Sequence, residues 1–162
     1  MFWPLLLLFA QTATPPTQID RGEAIFTDAT NGCVSCHALK GKGTAVGPDL
    51  RIDARLTPVA IAMAIRSTVT QYVQLAKLKT GETFPSMTGA TTGDTVEVFD
   101  LSKMPPESHK VPKSDVSYSP NNSWKHPPSQ KEWTKEQMAD LIAYIRYAGA
   151  GNRGKVDPDD IP

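Results

Sequence analysis

The sequence predicts a mainly α fold with a small antiparallel β insertion, and three observations carry that expectation. Amphipathic runs with N-cap signals lie toward both ends of the chain, residues 72–101 switch to short runs punctuated by Thr-Gly pairs, and 14 prolines with 11 glycines require many loops. A length of 162 residues suits one domain with a sizeable core. The 17 Lys and Arg balance 17 Asp and Glu, so the net charge points to neither nucleic acid nor an anionic membrane surface as partner. There is no internal repeat and no low-complexity block.

Met1 to Ala10, MFWPLLLLFA, is an apolar run too short to cross a bilayer as a helix. It reads as an export signal over residues 1–13, with small residues for cleavage near Ala10 or Ala13, although no Lys or Arg precedes the apolar run. An uncleaved N-terminal tether is the alternative; after cleavage no stable membrane span is expected. Thr12 to Thr17 is polar and proline-bearing and reads as a flexible leader. Thr17 with Asp20 three residues later then signals a short first helix, with Gly22, Ile25 and Phe26 on one face and an end near Asn31-Gly32. Next come the pentapeptide Cys33-Val34-Ser35-Cys36-His37 and a glycine-rich loop from Lys40 to Leu50.

Thr57 as N-cap and Pro58 as first helical residue open a second helix with Ile61, Ile65 and Val69 at four-residue spacing. From Tyr72 to Leu101, Thr-Gly pairs at Thr80, Thr88 and Thr92 separate strand-like runs; alternation is clearest at Thr95-Val96-Glu97-Val98-Phe99, and Pro85 argues for an irregular or edge position. A three-stranded antiparallel meander is expected there. Thr134 with Gln137 forms a capping box for a third helix that buries Met138, Leu141, Ile142 and Ile145 and stops at Gly149. Residues 150–162 read as a flexible tail.

The pentapeptide carries the chemistry. Two thiols spaced C-x-x-C can each form a thioether to a porphyrin vinyl group, and the histidine directly after them can bind the iron axially. One covalently attached haem c, with its iron, is therefore expected on Cys33, Cys36 and His37. Three other readings stay open. A zinc site needs four ligands, but only two cysteines exist, and His109 and His126 lack finger spacing. A redox dithiol belongs at a strand-to-helix junction, whereas this pair follows a helix and a loop. A plain Cys33–Cys36 disulfide is the third.

The order of helix, CVSCH, a Gly47-Pro48-Asp49-Leu50 loop, a helix, a ligand loop and a closing helix ending LIAYIRYA resembles the class I cytochrome c fold. The resemblance covers Gln18 to Tyr72 and Trp124 to Ala148; the meander between them resembles an insertion in a branch of secreted haem-binding domains. It implies a cytochrome c-like helical domain over residues 17–149 around a single haem. Cys33 and Cys36 then match the thioether positions and His37 the proximal ligand. Pro48 matches the proline whose carbonyl accepts the Nδ1 proton of that histidine. Gly22 and Phe26 match positions that meet an aromatic on the last helix, here Tyr144. The resemblance further implies a periplasmic or secreted electron-transfer protein that is no enzyme and works with redox partner proteins of unknown identity.

The sixth ligand is open between residues. Met63 and Met138 lie in helices and Met87 in a strand-like run, positions where core packing is expected, and His109 has charged neighbours typical of a solvated loop. His126 and Met104 each precede a Pro-Pro pair. Position before the final helix favours His126; residue type favours Met104. If neither binds, Met87 or an open site is left, and an open site would admit a small molecule, as in a peroxidase-like enzyme or a ligand-sensing module. No serine-histidine-acid set, paired carboxylates or phosphate loop calls for another chemistry.

Overall fold

A computed structural model describes residues 15–68, 70–120 and 123–162. The export-signal reading of residues 1–13, part of the leader, and the place given to Val69 lie outside them. The first helix, α1 (Gln18–Thr27), begins where expected: the Thr17 hydroxyl accepts from Asp20 N at 3.2 Å, and the Asp20 carboxylate accepts from Thr17 N at 2.9 Å. A 3-10 turn over Ala29–Asn31 and Gly32, at φ +77, then lead into α2 (Cys33–Cys36). Two more helices follow, α3 (Leu50–Asp53) and α4 (Pro58–Arg66), the latter capped by Thr57 and started by Pro58. The last, α5 (Lys135–Ala150), has the Thr134/Gln137 capping box.

The helical core forms where α1 crosses α5. Gly22 makes the approach possible: a Cβ there would lie 1.9 Å from the Asp140 carbonyl oxygen. Phe26 and Tyr144 meet at 5.4 Å between ring centroids, and Arg21 grips the buried Asp140 carboxylate with Nε at 2.7 Å and Nη2 at 2.8 Å. Helix α5 continues past Gly149 to an αL cap at Gly151. Gly149 is instead a packing glycine, since its Cβ would stand 2.6 Å from that of Ala54. Residues 150–162 are a second correction. They pack, with Val156 and Ile161 each 1% exposed in the core, and Gln18 exchanges hydrogen bonds of 2.9 and 3.0 Å with the Val156 backbone. Met63, expected in the core, is 64% exposed.

The mainly α expectation does not hold. Helix takes 39% of the described residues and strand 23%. The expected meander exists as β1 (Gln74–Leu78), β2 (Thr83–Thr92) and β3 (Thr95–Asp100), but β4 (Glu107–Pro112) and β5 (Val116–Ser119) extend it to five antiparallel strands in the order β4-β3-β2-β1-β5. The edge strands are consecutive in sequence. Four Cα steps join Pro112 to Val116, at most about 14 Å, whereas a flat sheet would hold its outer strands roughly 19 Å apart. The sheet must therefore curl. Its inner face forms a second core of Ala76, Leu78, Phe84, Val96 and Val98, with Val111 and Val116 against it. His109 is no solvated loop residue: it lies in β4, stacked on Phe84 at 5.1 Å.

Pro85 sits in a central strand. In an antiparallel hydrogen-bonded pair each residue donates to the other. Here Leu101 N donates to Pro85 O at 2.8 Å, but proline has no N–H to return. The Leu101 carbonyl instead accepts from the Trp124 indole Nε1 at 3.1 Å. A donor 23 residues further along thus replaces the missing ladder bond.

Two tyrosines of α5 are displaced in opposite directions. Burial and then the Glu23 charge push Tyr144 up to about 12. Tyr147 is held below the ordinary tyrosine range, because its hydroxyl accepts from Lys40 Nζ at 2.7 Å and its ring lies under both Lys40 and Arg153. Folding therefore favours the Tyr147 phenolate: that contribution is complete above the unfolded pKa and lost as pH falls through the folded one. In a tyrosine titration followed by NMR, Lys40→Met is expected to move the Tyr147 transition upward and leave Tyr144 in place. An unmoved Tyr147 would assign the depression to another cause.

Candidate functional site

A largely apolar cavity of about 470 Å³ lies between the helices and the sheet, within the roughly 300–1,000 Å³ range of ligand sites. Ile61 and Ile65 of α4 and Leu141 and Ile145 of α5 supply its helical walls, and Val73, Met87 and Leu101 bring the insertion to it. Cys33, Cys36 and His37 line one side, with Pro48 beside them; His126 lines it as well. Met104 lies outside the lining and is 48% exposed. Met138 is fully buried in the helical core, and Met87 reaches the cavity from β2.

Local structure aims the thiols. Cys33 and Cys36, three apart on α2, share one face. No disulfide joins them, and burial pushes each thiol up to about 11. A redox dithiol requires the opposite displacement. Among the described residues no three His, Cys, Asp or Glu side chains converge as metal ligands, so the zinc reading finds no ligand set.

His37 ends α2, its N–H donating to Cys33 O at 2.8 Å. Its ring is held by Pro48, whose carbonyl lies 2.9 Å from Nδ1. The loop presenting Pro48 is tied back to α2, Val46 N and Gly47 N both reaching Cys36 O, at 3.0 and 2.6 Å. Gly47 passes so close to the imidazole that a Cβ would fall 2.7 Å from His37 Cε1. Gly43, at φ +88, lets the loop turn there.

His126 is built the same way from the other side. Its Nδ1 lies 3.2 Å from the Ile65 carbonyl near the end of α4, and Pro127 follows to start a 3-10 turn over Pro127–Gln130. Ser129 returns N–H and hydroxyl donors to the His126 carbonyl at 3.0 and 2.7 Å. With Nδ1 donating to a carbonyl in each ring, the neutral tautomer leaves Nε2 as a lone-pair donor on both. Burial lowers both imidazole pKa values and so favours that neutral form; His37 adds to the lowering at His126.

The ring centroids stand 6.3 Å apart with planes at 86°. Two imidazoles bound trans to one metal at about 2.0–2.1 Å per nitrogen would set their centroids about 6.2–6.5 Å apart. The pair therefore fits one iron between them. Thiols on one wall, two neutral imidazoles and an apolar surround suit a covalently held porphyrin.

Sequence reasoning missed the Ile65 carbonyl, Gly47 as a close-approach residue, and Trp124, which stands 6.2 Å from His126. Only Gly47 left a signal, by preceding Pro48. A family model described as Cytochrome c matches residues 19–149. No curated protein matches the chain.

Proposed function

The chain belongs to the cytochrome c family, binds haem c covalently and is an electron-transfer protein, and from that premise we propose that it carries a single haem with histidine on both iron faces and works outside the cytoplasm. Cys33 and Cys36 hold the porphyrin through thioethers, His37 is the proximal ligand oriented by Pro48, and His126 is the distal ligand. The observation that carries this reading is the matched pair of imidazoles, each tied through Nδ1 to a backbone carbonyl. The chain has one C-x-x-C-H motif, which supports one haem.

When bound, the haem supplies an iron that alternates between ferric and ferrous states. The chain does the rest. The Pro48 and Ile65 carbonyls keep Nε2 of each histidine free for the iron, and Ile61, Ile65, Leu141 and Ile145 exclude water from the porphyrin face. The insertion covers the cavity with Val73, Met87 and Leu101. With His37 and His126 both holding the iron, no position would be left on it for a substrate, which supports a carrier without enzymatic activity. Among the described residues no helix is long and apolar enough to cross a membrane; the apolar start of the chain supports export to the periplasm or beyond, where redox proteins are the partners.

Visible and near-infrared spectra of the purified protein in both redox states test the ligand set. The expected result is a low-spin haem with no sulfur-to-iron near-infrared band, a reduced form that does not bind carbon monoxide readily, and identical spectra for Met104→Leu. A near-infrared band that disappears in Met104→Leu would overturn the assignment of His126.

A further inference from the structure

We propose that the β insertion positions the distal imidazole, locking its plane across that of His37 through Trp124; this rests on the two-histidine ligation proposed above. Three observations converge on it. The two ring planes stand at 86°, nearly perpendicular. The Nδ1 hydrogen bond restrains the orientation of each ring, and a contact against the side of the ring acts as a further stop on its plane.

For His37 the stop is the Gly47 backbone. For His126 it is the Trp124 ring, tilted at 48° with centroids 6.2 Å apart. Trp124 is in turn anchored on the sheet, because its indole N–H occupies the Leu101 carbonyl that Pro85 cannot serve. Pro85 thus does more than tolerate a central strand: its missing donor leaves the acceptor that Trp124 uses. The chain of contact runs Pro85, Leu101, Trp124, His126.

Crossed axial imidazoles direct their π interactions at two different iron orbitals, which stay close in energy. Parallel ones act on a single orbital and separate the two. In the ferric state the first arrangement gives an electron paramagnetic resonance spectrum dominated by one isolated low-field feature; the second gives a resolved three-line rhombic signal.

The test is that spectrum, recorded on the ferric holoprotein and on Trp124→Phe, which keeps an aromatic ring but loses the N–H. The wild type is expected to show the isolated low-field feature. In Trp124→Phe the rhombic three-line signal should gain intensity at its expense, with both histidines still bound. A rhombic wild type without a near-infrared sulfur band would overturn the inference while leaving the ligation intact. An unchanged Trp124→Phe spectrum would remove Trp124 as the positioning residue. A sulfur band or a high-spin signal in the wild type would remove the ligation and this inference with it. The wild-type measurement needs no variant, so it decides the plane orientation even if Trp124→Phe fails to fold.

Discussion

His126→Met is expected to raise the midpoint potential by on the order of 0.1–0.3 V, within the roughly 0.8 V over which axial ligands move haem potentials. A thioether favours the softer ferrous iron, whereas a second imidazole favours the ferric form, so the exchange shifts the balance toward reduction. The position suits the exchange. Residue 126 lies outside the helical region, at φ −58 and ψ 118, and is followed by Pro127 and Pro128, the first of which disfavours a helical alternative for it. A methionine there is therefore presented to the same cavity. It would lack the donor that His126 Nδ1 offers the Ile65 carbonyl at 3.2 Å, a loss of about 1 kcal/mol. The variant should gain a near-infrared sulfur band together with the potential shift. His109→Met serves as the control, since His109 stacks on Phe84 within the insertion; its midpoint should match the wild type. A midpoint unmoved in His126→Met would mean that His126 does not bind the iron.

What was legible in the chain was local. The Thr17/Asp20, Thr57/Pro58 and Thr134/Gln137 signals each open a helix at the expected residue, because caps act within one turn. The motif itself was equally plain, since Cys33, Cys36 and His37 lie within five consecutive residues, and the structure brings all three to the cavity. The two outer strands escaped notice for a physical reason: β4 exposes Glu107, Ser108 and Lys110 and faces inward only with His109 and Val111, and polar edges of this kind are how sheets avoid further pairing. The tail escaped because two apolar anchors, Val156 and Ile161, are dispersed among Asp, Pro, Gly and Lys. The contacts that orient His126 had no local signature at all. Ile65 contributes through its backbone from 61 residues away. Pro85, read as marking an irregular or edge position, sits in a central strand whose register shifts between Thr88 and Thr91, and Trp124 supplies the bond that it cannot.

Gly22→Ala is expected to destabilise the protein by about 3 kcal/mol, the upper part of the range for overpacking. The added Cβ would lie 1.9 Å from the Asp140 carbonyl oxygen, 2.6 Å from its carbon and 2.8 Å from Tyr144 Cβ. None of these is the end of a flexible side chain, so relief requires α1 and α5 to separate. Separation acts on everything arranged around Gly22: the Phe26–Tyr144 contact at 5.4 Å and the two Arg21 bonds to Asp140. Asp140 is buried, so weakening its partner leaves a carboxylate short of compensation. The gain of helix propensity from Gly to Ala, about 1 kcal/mol, works in the other direction and is too small to offset the clash. The site should feel this too. Helix α5 supplies Leu141 and Ile145 to the cavity wall, and α1 supplies Phe26. The variant is therefore expected to melt lower and to admit carbon monoxide to the reduced haem more readily, while its colour still resists extraction into acidified organic solvent because the thioethers persist. Chemical denaturation monitored by circular dichroism gives the energy. A Gly22→Ala protein as stable as the wild type would show that α1 and α5 do not cross this closely in solution.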